Sequence, residues 1–219
     1  MERPSVRSYS IRRSRITDAQ REARRALQAI HGIEFKQEVI DLKQIFPTAE
    51  KIIMEIGFGM GEATTIIAQN NPNNGYLAVD VHPPGIGKLL ARIVVHDLTN
   101  LKVIEEDVHV VLQHMIADES LAGIHLYFPD PWPKTKHNKR RIVNEGFLQL
   151  IYPKIKMGGF IHIATDWVPY AKNMQAVFAQ SDLFAGGVIA KPEWRPVTRF
   201  EGQGIDKDHA VNDMLYTKL

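Results

Sequence analysis

Residues 51–64 read KIIMEIGFGMGEAT. An isoleucine-rich run stops at three glycines set at every second position, and a helix-favouring stretch follows. A strand that ends in a glycine turn and opens straight into a helix is the first half of a strand–helix–strand unit. The pattern continues downstream: GYLAVD (75–80), LKVIEE (101–106), GIHLYF (123–128) and GFIHIAT (159–165) read as further strands. Helical patterns cover 62–70, 85–98, 107–116, 144–156 and 167–180, with Asn144 as an N-cap and Gly158-Gly159 as a C-terminal stop. Such alternation predicts an α/β fold, a mainly parallel, doubly wound sheet covered on both faces. Residues 51–180 would form its ligand-binding core.

Upstream, Thr17 with Gln20 makes a capping box for a helix that Gly32 closes, so 1–32 reads as a basic N-terminal extension and helix. Downstream, 181–219 is less regular, with VNDMLYTKL (211–219) as a candidate last strand. The 219 residues are expected to form one domain.

Bulk composition is ordinary for a folded, soluble chain, with 44% hydrophobic and 24% charged residues and a net charge of +2. Charge is unevenly spread. Eight arginines, Arg12 and Arg13 among them, fall in the first 25 residues against the acids Glu2, Asp18 and Glu22. Such clusters suit an anionic polymer, and equally a solvated tail. The absence of cysteine excludes disulfides and thiolate-bound zinc and agrees with a cytoplasmic setting. No apolar run approaches the roughly 18 residues of a membrane-spanning helix, and no apolar segment follows the basic N-terminus as in a signal peptide. His109 and His114 stand five apart, a poor spacing for one helical face, so no metal site is expected.

In doubly wound sheets ligands bind beyond the carboxyl ends of the strands. Gly57, Gly59 and Gly61 give a G-x-G-x-G turn, which differs from the dinucleotide spacing G-x-G-x-x-G. Glu55, two residues before it, disfavours a pyrophosphate and favours a cationic ligand. S-adenosylmethionine, with an ammonium and a sulfonium, has that chemistry. Asp80 ends the second strand, where an acid takes ribose hydroxyls, and Asp107 follows the third, placed for an adenine amine or simply for a helix N-cap. Asp130 and Asp166 follow the fourth and fifth.

Asp130 lies in YFPDPWPKTKHNKRRI (127–142). Pro129 and Pro131 stiffen the backbone on both sides of the carboxylate. Trp132 reads either as a stacking surface for a base or as core. Lys134, Lys136, Lys139, Arg140 and Arg141 then supply cations suited to phosphates, or a solvated face.

Together with SIRRSRITDAQ (10–20), EIGFGMG (55–61), VDVHPPGIG (79–87), HIATDW (162–167) and RPVTRFE (195–201), the stretch FPDPWPKTKHNKRRIV (128–143) resembles the bacterial tRNA (guanine-N7-)-methyltransferase family along nearly the whole chain. The resemblance implies a Rossmann-like class I methyltransferase fold, S-adenosylmethionine as donor, and a guanine of the tRNA variable loop as acceptor. It further implies that Glu55, Asp80, Asp107 and Asp130 contact or border the donor. Lys134, Asp166, Thr198, Arg199, Phe200 and Glu201 would contact substrate. Two departures stand out: Asp80 replaces the family's usual Glu, and Gly202-Gln203-Gly204 replaces its usual basic residue after Glu201. Asp130 is the expected catalytic carboxylate, with Asp166 second. Rival readings are a base N-methyltransferase acting on another RNA or on DNA, and a non-catalytic RNA-binding module on the same fold. The sequence leaves monomer and homodimer open.

Overall fold

A computed structural model describes residues 8–9, 17–198, 201 and 210–219, the side chain of Ala23 excepted. Arg12, Arg13, Arg199, Phe200 and Gly202-Gln203-Gly204 therefore lie outside the described residues, as does most of the expected basic extension.

The chain folds in the order α1 (Asp18–His31), α2 (Leu42–Ile45), β1 (Lys51–Ile56), α3 (Glu62–Asn70), β2 (Asn74–Asp80), α4 (Pro83–Val95), β3 (Leu101–Glu105), α5 (Val108–His114) and β4 (Leu121–Tyr127). A 3-10 helix (Thr135–Arg140), α6 (Glu145–Ile151), β5 (Ile155–Thr165), α7 (Val168–Ala179), β6 (Phe184–Ile189) and β7 (Asn212–Lys218) complete it. The sheet order is β3-β2-β1-β4-β5-β7-β6. The first five strands are mutually parallel, and β7 runs antiparallel between β5 and β6. Because the chain moves outward from β1 to β3 and then returns to β4, a crevice opens at the carboxyl ends of β1 and β4.

Period-2 alternation sends side chains to both sheet faces, and both are buried. Ile53, Tyr76, Ala78 and Val103 pack with α3 and α4, while Met54, Leu77, Val79, Leu126 and Ile161 pack with α5, α6 and α7. α1 is bounded by the expected capping box: Gln20 N–H donates to Thr17 Oγ1, and Thr17 N–H donates to the Gln20 amide. It docks on α4 backbone to backbone. A Cβ on Gly87 would stand 2.2 Å from the Gln20 carbonyl oxygen, so this crossing demands glycine.

Besides the short α2 and the 3-10 helix, which the sequence pattern does not announce, three features differ from expectation. The helix expected over 144–156 ends at Ile151, because Pro153 cannot extend it and Ile155 is drawn into pairing with Leu121. Gly158-Gly159 is thus no helix stop but lies inside β5, where Gly158 takes φ 71° across a register shift between the Leu121 and Gly123 pairings. β6, with two adjacent glycines, carries little strand propensity of its own and is held by β7.

Gly87→Val should force α1 off α4 and cost about 1–3 kcal/mol. Thermal unfolding should show a lowered melting temperature, and an unchanged one would contradict the backbone-to-backbone packing.

Candidate active site

The three glycines between β1 and α3 all take left-handed backbone, with φ 74°, 58° and 73° at Gly57, Gly59 and Gly61. Only glycine holds three such angles at alternate positions without strain. The turn is tied to the neighbouring strand end by Asp80. Its Oδ2 accepts from Gly59 N–H at 3.0 Å, and its Oδ1 accepts from Val81 N–H at 2.7 Å and His82 N–H at 3.0 Å. Burial raises the Asp80 pKa, and these amide bonds work against that rise.

Glu55 is 3% exposed, and its Oε2 is buried with no hydrogen-bond partner among the described residues. Burial pushes its pKa to about 7, opposed by the nearby Thr64 hydroxyl and reinforced by the neighbouring Asp80 charge. A buried carboxylate with an unfilled acceptor suits a cation. A Cβ on Gly57 would meet no atom within 4 Å, so the turn leaves open space for a ligand against its backbone.

Strand register aligns the remaining acids. Ile56 pairs with Val79 and with Leu126, Asp80 with Glu105, and Tyr127 with Ala164. Glu55, Asp80, Asp107, Asp130 and Asp166 therefore all stand at one edge of the sheet. Asp107 is the N-cap of α5, its Oδ1 accepting from His109 N–H at 2.9 Å and lying 3.1 Å from His109 Nδ1. Burial would raise its pKa, but the His109 bonds and charge and a Tyr9 bond hold it below the ordinary value. Asp166 is partly exposed at the β5–α7 junction.

The loop after β4 is strained on both sides of its acid. Phe128 and Trp132 take φ 50° and 44°, left-handed values that cost non-glycine residues about 1–3 kcal/mol each. Phe128 N–H donates to Ala164 O at 2.8 Å, fixing the loop to β5. Trp132 is neither fully buried nor an open platform: its Nε1 donates to Ser8 O at 3.0 Å, the Arg140 guanidinium sits 4.8 Å over its ring, and His137 meets it edge-on.

The cationic run divides. Lys134, Lys136 and Lys139 are exposed, and the 3-10 helix they flank or occupy buries no residue. Arg141 departs from its expected role as a phosphate contact. It is 7% exposed, donates from Nε to Pro131 O at 3.0 Å and from Nη1 to Asn173 Oδ1 at 3.3 Å, and lies over the Tyr170 ring. It clamps the proline loop to α7.

Thr198 and Glu201 are both buried, and the Glu201 carboxylate is held by Arg195 rather than turned to solvent. Arg195, Asp213, His162 and Tyr127 form a buried polar chain whose connection no single sequence motif shows. Its signal was the strand alternation itself. Glu55, His125 and His162 pair laterally across β1, β4 and β5, on one sheet face. Among the described residues no group of His, Asp and Glu is arranged to hold a metal, and no helix is long and apolar enough to cross a membrane.

The chain is similar to known methyltransferases at two levels. Residues 49–214 match the family model described as "Putative methyltransferase". The tRNA (guanine-N(7)-)-methyltransferase of Nitrosomonas europaea is 43% identical over 218 residues, spanning 98% of this chain and 97% of that protein. The protein of the same name from Chromobacterium violaceum is 41% identical over 225 residues, covering both chains in full. Among solved structures, the 16S rRNA methyltransferase KamB superposes with a TM-score of 0.60 at 15% identity, covering 83% of this chain and 95% of that one. An rRNA methylase from Streptococcus thermophilus gives 0.52 at 14% identity, covering 80% and 92%. These two share the fold. With the glycine turn, the aligned strand-end acids and the proline-flanked Asp130 in place, and relatives of this identity along its full length, the chain belongs to the tRNA (guanine-N7-)-methyltransferase family.

Proposed function

We propose that this chain transfers the methyl group of S-adenosylmethionine to N7 of a guanine in the variable loop of tRNA. One juxtaposition carries the reading. The glycine turn and the Asp130 loop stand at the ends of the paired strands β1 and β4, and that loop runs directly into an exposed cationic helix. The name shared by the relatives supports guanine N7 of tRNA as the acceptor.

Bound S-adenosylmethionine supplies a methyl group on a cationic sulfonium. The residues present fit it. Glu55 has an unfilled buried acceptor for the ammonium, and the glycine turn lets a ligand approach the backbone. Asp80 spends three lone-pair directions on amides and, a carboxylate having about four, keeps one for a ribose hydroxyl.

Guanine N7 carries a lone pair and no proton, so no residue has to serve as a general base. As N7 takes the methyl group, positive charge develops on the purine. A carboxylate already fixed beside it stabilises that charge without reorganising, and this is the role assigned to Asp130. Its strained, proline-locked, Arg141-clamped loop is the preorganisation such a role needs. Asp130 also accepts from guanine N1–H and the exocyclic amine, which adenine cannot match. Asp166, at the next strand end, is the second acid on the acceptor side. Because N7 lies in the deep, narrow major groove of paired RNA, the target base has to be splayed out. Lys134, Lys136 and Lys139 then hold backbone phosphates.

Asp130→Asn should lower the rate of N7-methylguanosine formation about 10²–10³-fold while calorimetry finds donor affinity little changed. Wild-type turnover in that variant would remove Asp130 from the mechanism. Replacing Lys136 and Lys139 together by Ala should reduce the slope of log affinity for tRNA against log salt by about two. An unaltered slope would make the run a solvated face.

Glu55 adds a pH test. Its folded pKa of about 7 lies above the ordinary 4.5. The folded state thus holds this proton more tightly than the unfolded chain, and the stability this group contributes is lost as pH rises from 4.5 to 7. Glu55→Gln should abolish that decline, making the donor-free protein more stable than wild type at pH 8 by about 1–3 kcal/mol, and should also weaken donor binding. Parallel pH profiles of thermal unfolding in the two proteins would contradict the assignment.

A further inference from the structure

A polar chain runs under the acceptor half of the site and has no part in the chemistry above. Tyr127 Oη lies 3.0 Å from His162 Nδ1, and His162 Nε2 lies 2.9 Å from Asp213 Oδ1. A carboxylate only accepts, so Nε2 donates to Asp213. In the neutral ring Nδ1 then accepts from the Tyr127 hydroxyl. Asp213 also receives Arg195 Nε at 2.7 Å and Nη2 at 2.8 Å. The other edge of the same guanidinium holds Glu201, with Nη1 to Oε2 at 2.7 Å and Nη2 to Oε1 at 3.2 Å.

Glu201 in turn accepts from Thr198 N–H at 3.2 Å, and Thr198 Oγ1 accepts from Glu201 N–H at 3.1 Å. This is a capping box, so T-x-x-E in RPVTRFE is a clasp whose carboxylate is already engaged. The Arg195 and His162 side chains are fully buried, and Asp213 is 2% exposed. Trp194 closes the chain from above, stacked on His125 at 5.1 Å and edge-on to His162 at 4.9 Å.

The two ends of this chain of bonds matter. One is Tyr127, the last residue of β4 and three residues before Asp130. The other is the reciprocal pair of Thr198 and Glu201. A buried ion cluster adds little net stability over apolar side chains of the same volume. What it does fix is direction: a planar guanidinium with five donors bridges two carboxylates in one geometry only.

We propose that Arg195 is a positioning residue for the methyl acceptor. It bolts the Thr198–Glu201 pair to Asp213 and, through His162 and Tyr127, to the strand end that presents Asp130. The pair and that strand end are thereby held in a single relative geometry. The inference rests on the functional reading above, which supplies guanine in tRNA as the acceptor.

The test uses full-length Arg195→Lys, Tyr127→Phe, His162→Gln and His162→Leu beside wild type. It follows tRNA methylation kinetics, donor affinity by calorimetry, and melting temperature. Lysine keeps the charge but cannot make a planar two-bond pairing with each of two carboxylates, so kcat/KM for tRNA should fall at least about thirtyfold with donor affinity within about twofold of wild type. Tyr127→Phe removes one hydroxyl and keeps the ring. It guards against the Arg195 variant simply unfolding, and it should lower kcat about three- to tenfold with donor affinity unchanged. Glutamine can donate to Asp213 and accept from Tyr127, so His162→Gln should recover most of the activity that His162→Leu loses.

Wild-type kinetics in Arg195→Lys would overturn the inference. So would donor affinity falling in step with kcat/KM in Tyr127→Phe, or His162→Gln performing no better than His162→Leu. If wild type itself makes no N7-methylguanosine in tRNA, the functional reading falls and takes this inference with it. Wild-type turnover with unaffected variants overturns the inference alone.

Discussion

Parallel pairing of β1 with β2 on one side and β4 on the other is the constraint from which the rest follows. It places Ile56 level with Val79 and Leu126, so the chain leaves three strands at one height and turns there three times. The first turn is the glycine loop, the second the Asp80 nest, and the third the proline loop of Asp130. A slip of one residue in any of these pairings would turn Glu55 to the opposite sheet face and dissolve the cluster. Hydrophobic burial on both faces holds the register: Met54, Leu77, Ala78, Ile124 and Ile161 are all fully buried.

That arrangement concentrates negative charge, and the protein handles it differently at each acid. Asp80 is satisfied by backbone amides, Asp107 by its helix terminus and His109, and Asp213 by Arg195 and His162. Glu55 alone among these keeps a buried oxygen without a partner among the described residues, and its pKa rises accordingly. On the proposed reading, the contrast separates the groups that build the site from the group left for the donor. The Asp130 loop is strained and is held to α7 by Arg141. The Tyr127–His162–Asp213–Arg195 chain ends on the strand that precedes it.

Much of this was legible in the residues because the signals were local. KIIMEI followed by alternate glycines, and apolar runs ending in acids, mark strand ends within a few positions, and the structure puts them there. Thr17 and Gln20 announced their capping box in the same way. Long-range features were hidden. Arg141 looks like one more cation in KTKHNKRRI, yet Asn173 and Tyr170, which draw it inward, come from α7. Gly158-Gly159 reads as a helix stop until Leu121 on β4 is seen to claim Ile155. Arg195 and Asp213 meet 18 residues apart only because β7 returns alongside β5. Within RPVTRFE, the bond between Thr198 and Glu201 follows a local spacing, but the hold of Arg195 on Glu201 and Asp213 does not.

The central claim is that this edge of the sheet directs a methyl group to guanine N7 and to no other atom. Borohydride reduction and aniline treatment of tRNA incubated with the protein and S-adenosylmethionine test it directly, because strand scission reports N7-methylguanine. The account predicts scission at a single guanine of the variable loop. Methyl incorporation without scission, or no incorporation into tRNA at all, would contradict it.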